Sequence, residues 1–279
     1  MVEGLLMTRP VVERDARSGA SEPSVWARLR VEAATSAAQE PVLASFLHAA
    51  ILNHSSLASA LTYVLGSRLA DSDMNAMQSR EVCEEAVLGD PEILGRVERD
   101  LSAVYERDAA CKSLLQPFLY FKGFHALQSY RVGHQLWKEG RETLAYHIQS
   151  RISERFAVDI HPSAVIGSGV MMDHATSIVI GETAKVGDDC SLLHEVTLGG
   201  TGNKGGVRHP TIGRGVLIGA GAKVLGAITV GDEAKIASGS VVLKSVPAKC
   251  TVAGVPAKPV GGACAEPALN MNQTLDETE

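Results

Sequence analysis

An aliphatic residue recurs at every sixth position through much of the second half of the chain. Ile160, Ile166, Met172 and Ile178 form one run, and Ile180, Val186, Leu192 and Leu198 a second. Ile212, Ile218, Val224, Val230, Ile236 and Val242 form a third. Glycine follows many of these positions, as at Gly167, Gly181, Gly187, Gly199, Gly213, Gly219 and Gly231. A period of six fits neither an amphipathic helix nor a long strand. It fits a short strand and a turn forming one side of a triangular coil, three sides to each turn. The aliphatic residue points inward, and the glycine or small polar residue turns the corner. The expectation is a left-handed parallel β-helix of hexapeptide repeats over residues 158–262.

The repeat has two faults. Its phase slips between Ile178 and Ile180, and the step from Leu198 to Ile212 spans more than two periods where one would do. The excess falls in GGTGNKGGVRHPT, Gly199 to Thr211, which is glycine-rich, basic and without an aliphatic anchor. It should leave the coil as an excursion loop, a usual place for function. Gly254, Pro256 and Pro259 then end the coil.

The stretch 24–157 has a helical period. Ser24 can cap a helix through Trp26, Leu29 and Val31. Pro41 can start another, with Val42, Leu43, Phe46, Leu47, Ile51 and Leu52 as its apolar positions. Further helices are expected over Ser56–Leu69, Ala76–Leu88, Pro91–Glu106, Leu114–Glu139 and Arg141–Phe156, with Gly140 breaking the last two. The whole is an α + β chain: an all-α domain of six to eight helices, then the β-helix. Residues 1–23 read as a flexible leader and 263–279, polar and acidic, as a disordered tail.

Composition narrows the classes. A net charge of −6 argues against nucleic acid as the main partner. No apolar run reaches the ~18 residues of a membrane span, and the N-terminus lacks the long apolar core of a signal peptide. Five cysteines without a CxxC pair suggest reduced thiols and a cytoplasmic protein. Between Gly200 and Val260, eight basic residues face only Asp232 and Glu233, which suits a phosphate-bearing ligand such as a coenzyme A. Gly200, Ala220 and Lys235 are the candidate contacts for it. Flat prism faces rich in small residues, such as Ala220-Gly221-Ala222, predict a trimer with sites shared between subunits.

The strongest polar cluster, Met172-Asp173-His174-Ala175-Thr176, sits at the first fault. Histidine is the natural general base near neutral pH, and a carboxylate is needed to orient it. Asp173 is adjacent but would point another way. Asp159 precedes His174 by a little less than the three sides of one coil, and could stack beneath it. At the end of the excursion, Arg208 can hold a carboxylate, and His209 can donate to a developing oxyanion or orient a substrate. His194-Glu195 is a third polar interruption, with a structural role favoured. A zinc site is weakened because the repeat contains no HxxxxH pair, so no metal is expected.

The helical segment KGFHALQSYRVGH (Lys122–His134), with VDIHPSAVIG (Val158–Gly167), MMDHAT (Met171–Thr176), VTLGGTG (Val196–Gly202), RHP (Arg208–Pro210) and AGVPAK (Ala253–Lys258), closely resembles bacterial serine O-acetyltransferase over residues 24–262. Sugar acetyltransferases of the hexapeptide type share the prism but not the helical domain.

The resemblance implies transfer of acetyl from acetyl-CoA to the hydroxyl of L-serine, the first committed step to cysteine, with feedback inhibition by L-cysteine in the serine site. His174 matches the family's general base, Asp159 its partner carboxylate, and His209 a second active-site histidine. Asp173 and Asp108 match the pair that holds the serine amino group, and Arg208 the ligand of its carboxylate. Asp108, in YERDAA, would otherwise read as a surface charge on a helix. A homotrimer, paired into a dimer of trimers, is the implied assembly. Many members end in isoleucine, which docks into O-acetylserine sulfhydrylase. This chain ends at Glu279, so weak or absent binding to that enzyme is expected.

Overall fold

A computed structural model describes residues 24–202 and 205–275 of the chain. The expected leader, 1–23, lies outside the described residues, as do 276–279.

The helical half forms largely where the periodicity places it. Ser24 accepts from Ala27 N and starts α1 (Val25–Gln39). Ser56 does the same for α3 (Leu57–Leu69), and Asn75 closes a capping box on α4 (Ala76–Gly89). The helix expected from Pro41 is irregular: a 3-10 turn (Pro41–Leu43), α2 (Ala44–Leu47) and a π-helical turn (His48–Leu52) follow one another. Val42 stands 92% exposed there, not on a buried face. α5 runs Glu92–Arg107.

The span Leu114–Glu139 is two helices, α6 (Leu115–Tyr120) and α7 (Lys122–Lys138). Phe121 between them is extended, at φ −84° and ψ 111°. The break re-aims α7 so that its first turn meets the coil. Gly140, at φ +75°, separates α7 from α8 (Glu142–Phe156), as expected. Ala157, in the left-handed region at φ 55°, turns α8 into the first strand.

The coil is a parallel β-solenoid of three sheets. One sheet stacks β1 (Val158–Ile160), β4 (Ile178–Ile180), β7 (Thr197–Gly199), β10 (Lys223–Leu225) and β13 (Val241–Val242). The second holds β2 (Val165–Ile166), β5 (Lys185–Val186), β8 (Thr211–Ile212) and β11 (Thr229–Val230). The third holds β3 (Met171–Met172), β6 (Ser191–Leu192), β9 (Leu217–Ile218), β12 (Lys235–Ile236), β14 (Cys250–Ala253) and an antiparallel β15 (Lys258–Ala263).

Register turns both faults into insertions. Val179 pairs with Thr197, and Lys223 with Val241, each pair three regular sides apart. Val158 pairs with Ile178, slightly beyond three sides, and Thr197 with Lys223, more than four sides on. The first coil therefore carries a short insertion and the third coil a long one. Because the extra residues sit at corners, the aliphatic positions on either side stay inward. Ile178, Ile180, Leu198 and Ile212 are all buried, each worth about 2 kcal/mol of transfer from water.

Helices and coil share one apolar core that runs from Leu29 to Val252. The junction also has a buried ionic lock. Asp100, on α5, is fully buried and accepts from Arg131 Nη2 at 2.7 Å, Gln128 Nε2 at 3.0 Å and Val170 N at 2.9 Å. Arg131 donates onward to the carbonyls of Ile166 and Gly167.

The segment after 262 is a correction. A disordered tail is the expectation, but 263–275 folds back along the coil. It forms a short helix α9 (Pro267–Asn270), buries Ala268, and lets Ser191 Oγ donate to the Ala268 carbonyl at 2.9 Å. Polar composition concealed the few small residues that pack.

Candidate active site

The two insertions build two polar clusters at two different corners. The first corner, Asp173 to Ser177, links β3 to β4. His174, Ala175 and Ser177 all adopt positive φ, at 55°, 58° and 61°. Such conformations in residues with a Cβ cost energy and collect at functional sites. The corner is braced from outside by α7. Gly123 is needed there, because a Cβ at that position would overlap the Met172 carbonyl oxygen. Beside it, Lys122 Nζ donates to Thr176 Oγ1.

His174 stands at the rim of a cavity of about 440 Å³ whose lining includes Asp108, Phe121, Met171 and Asp173. Its side chain is 76% exposed, and its Nε2 lies 3.8 Å from Asp173 Oδ1. Asp108 is not a surface charge on a helix. It terminates α5, and its Oδ1 accepts from Ala110 N at 2.7 Å, which turns the carboxylate toward the cavity. Burial raises the Asp173 carboxyl above its ordinary range; His174 opposes this and Asp108 adds to it. Two carboxylates that repel each other in a half-closed cavity make a site for an ammonium group.

His194, given a structural role above, belongs to this corner one coil on. Its ring meets that of His174 edge-on at 5.9 Å, and its Nδ1 is buried with no partner among the described residues. The sequence signal was its place one coil after His174.

The second corner links the first sheet to the second. The excursion returns there, and Arg208 pairs with Glu182. That contact holds the Glu182 carboxyl below its usual range. His209 lies 8% exposed over Gly181, with its Nδ1 against Thr183. Burial first, then Arg208, lowers its pKa. His161 joins from the first coil, wedged edge-on against Trp137 and Tyr146. Glu182, Thr183 and His161 are absent from the sequence-based site. Their outward positions carry no periodic signal.

Asp159 does not stack beneath His174 within one chain as expected. The insertion makes the first coil longer than the stretch from Asp159 to His174, so the residue level with Asp159 is Val179 and not His174. Its Oδ1 accepts from Gln149 Nε2 of α8 at 2.7 Å, and its charge reaches His161 at the second corner. The two corners are separated by a three-residue strand, roughly 10 Å at about 3.3 Å per residue. One chain does not bring Asp159, Arg208 and His209 onto His174.

The candidate CoA contacts also divide. Gly200 is exposed beside Arg208 and His209. Ala220 packs among Leu193, Leu217 and Ala268. Lys235 is a correction: it is 7% exposed, with Nζ donating to the Thr274 carbonyl at 2.7 Å under the returning C-terminal segment. Among the described residues no group of three His, Cys, Asp or Glu side chains could hold a metal ion.

The coil is that of a hexapeptide-repeat transferase: residues 209–244 match the bacterial transferase hexapeptide family. Residues 25–129 match the N-terminal family of serine acetyltransferases. A serine acetyltransferase of Escherichia coli strain K12 is 53% identical over 250 residues, covering 89% of this chain and 92% of that one. The chain belongs to the serine acetyltransferase family. Among solved structures, Neisseria gonorrhoeae serine acetyltransferase in complex with serine superposes with a TM-score of 0.84 at 52% identity, over 88% of this chain and 100% of that one. A serine acetyltransferase in complex with cysteine gives 0.89 at 51%, over 90% and 98%. The Brucella abortus enzyme in complex with coenzyme A gives 0.84 at 50%, over 86% and 97%.

Proposed function

We infer that this chain transfers the acetyl group of acetyl-CoA to the hydroxyl of L-serine, releasing O-acetyl-L-serine and CoA, and that L-cysteine inhibits it at the serine site. The observation that carries the reading is the meeting of Asp108, Asp173 and His174 in one cavity. An amino-acid ammonium between the two carboxylates sets its β-hydroxyl near the imidazole.

Serine's hydroxyl is too weak an acid to attack unaided. His174 takes its proton as the oxygen adds to the thioester carbonyl. The tetrahedral intermediate expels the CoA thiolate, and His174 returns the proton to that sulfur. The transfer is direct and uses no acetyl-enzyme. Cysteine differs from serine by one atom and competes for the same ammonium and carboxylate ligands.

The remaining ligands come from a second copy of the chain in a homotrimer. Arg208 of that copy holds the substrate carboxylate, exchanging Glu182 for it. His209 donates to the oxyanion, and Asp159 orients His174 and offsets the imidazolium. Gly200, at the mouth of the excursion, is the CoA contact retained. Two trimers pair into a hexamer, and the reduced thiols fit a cytoplasmic enzyme.

The test is release of CoA thiol from acetyl-CoA with L-serine, with sugars, and without acceptor. Release with L-serine alone supports the reading. Release with sugars and not with serine refutes it.

A further inference from the structure

We propose that Thr183 is a positioning residue that locks His209 as its Nε2–H tautomer, so that His209 serves the reaction as a neutral hydrogen-bond donor and not as a base. The proposal rests on the donor role given to His209 above, and its test separates the two.

Four hydrogen bonds around Thr183 admit one assignment of protons. Thr183 N lies 3.2 Å from His209 Nδ1. A backbone N–H can only donate, so Nδ1 must accept and carries no proton. The neutral ring then bears its hydrogen on Nε2. Thr183 Oγ1 lies 2.9 Å from the same Nδ1 and donates to it as well. That leaves the hydroxyl its two lone pairs, and both are used: Arg208 N donates to Oγ1 at 3.0 Å and His209 N at 3.1 Å. One side chain thus satisfies two backbone donors of the returning excursion and fixes the tautomer of the ring they carry.

The ring has one place to lie. A Cβ at Gly181 would overlap His209 Nε2, and one at Gly200 would sit 3.4 Å from it. The imidazole therefore occupies the space of a missing side chain one coil below. Charging it would require a proton on Nδ1, where two donors already point. Arg208 opposes that charge too, while Glu182 favours it and His161, the other titratable neighbour, opposes it. A ring so held cannot accept the hydroxyl proton of the substrate at Nδ1, and its Nε2 already carries a proton. It can only give a hydrogen bond from Nε2. A neutral donor polarises a carbonyl without stranding a fixed cation beside Arg208. The division of labour follows: His174, exposed and free at its ring, moves the proton, and His209 stabilises the oxygen.

Histidine 15N NMR on the full enzyme, with the His209 signals assigned by their loss in His209→Asn, reads the tautomer directly. The expected wild-type pattern is a protonated Nε2 and a bare Nδ1, persisting below the pH at which free histidine charges. Thr183→Val keeps the shape and the backbone N–H but loses the hydroxyl that gives Nδ1 its shorter contact and anchors Arg208 N and His209 N, leaving only the 3.2 Å backbone contact to hold the ring. It should mix the tautomers and lower kcat with L-serine about tenfold, as slight misplacement does. Its KM for acetyl-CoA should stay within about twofold. Thr183→Ser should restore both tautomer and rate. A wild-type ring protonated at Nδ1, or an unchanged tautomer and kcat in Thr183→Val, overturns the lock. Full activity in His209→Asn sinks the donor role itself, whatever the tautomer.

Discussion

Asp159 Oδ1 accepts a hydrogen bond from Gln149 Nε2 at 2.7 Å, which ties the carboxylate to α8 beside Val179 of the next coil. Its charge reaches His161 at the second corner, and it does not lie beneath His174 of its own chain. If a neighbouring copy presents it to His174, it orients the ring and offsets its charge without exchanging protons with substrate. Asp159→Asn should lower kcat by about tenfold to a hundredfold, less than loss of the base. An unchanged kcat in that variant counts against any catalytic part for Asp159.

A site divided between copies makes a second prediction. His174→Ala and His209→Ala should each be weakly active alone. Co-expressed in equal amounts and randomly assembled, they should regain about a quarter of the His-dependent rate, because some interfaces pair two intact halves. No recovery in mixed oligomers, shown to be mixed by differential tagging, would mean that each site is built within one chain.

Asp100 should matter for stability without touching substrate. It is fully buried and compensates Arg131 at the junction of helices and coil. Asp100→Ala strands the guanidinium, and the expected loss is about 3–5 kcal/mol, read by urea unfolding. A loss under about 1 kcal/mol would show that the junction does not depend on this pair.

His125 supplies a pH dependence. It is buried between Phe124 and Phe156 with Nε2 at 2.9 Å from the Phe118 carbonyl, and burial pushes its pKa from 6.5 down to about 4. The unfolded chain therefore binds a proton near pH 6.5 that the folded chain refuses until about pH 4. Stability falls with pH through that window, by roughly 3 kcal/mol for this residue at about 1.36 kcal/mol per unit. Unfolding midpoints measured from pH 7 to 4.5 should fall, and His125→Asn should flatten the slope. An identical slope in both proteins would reject His125 as a source.

The coil was legible because inward positions repeat. Counting along the chain located both insertions, and the lengthened first and third coils carry the excess where the period failed. The helical caps at Ser24 and Ser56 were equally plain. Outward contacts were not. Asp159 precedes His174 by nearly one regular coil, and only the path of the corner shows that its neighbour is Val179. Glu182, Thr183 and Gln149 have no period, since their partners arrive from the excursion and from α8. Asp108 was found by resemblance alone, because a residue that ends α5 reads as a helix charge until the cavity beside it is seen. Lys235 looked like part of a basic face until the returning segment 263–275 covered it.

That His174 is the base for acetyl transfer to L-serine is tested by the turnover of His174→Ala beside that of the wild type at saturating L-serine and acetyl-CoA. The kcat should fall by about a hundredfold to ten-thousandfold, with CoA still bound at near wild-type affinity by calorimetry. A kcat close to that of the wild type would contradict it.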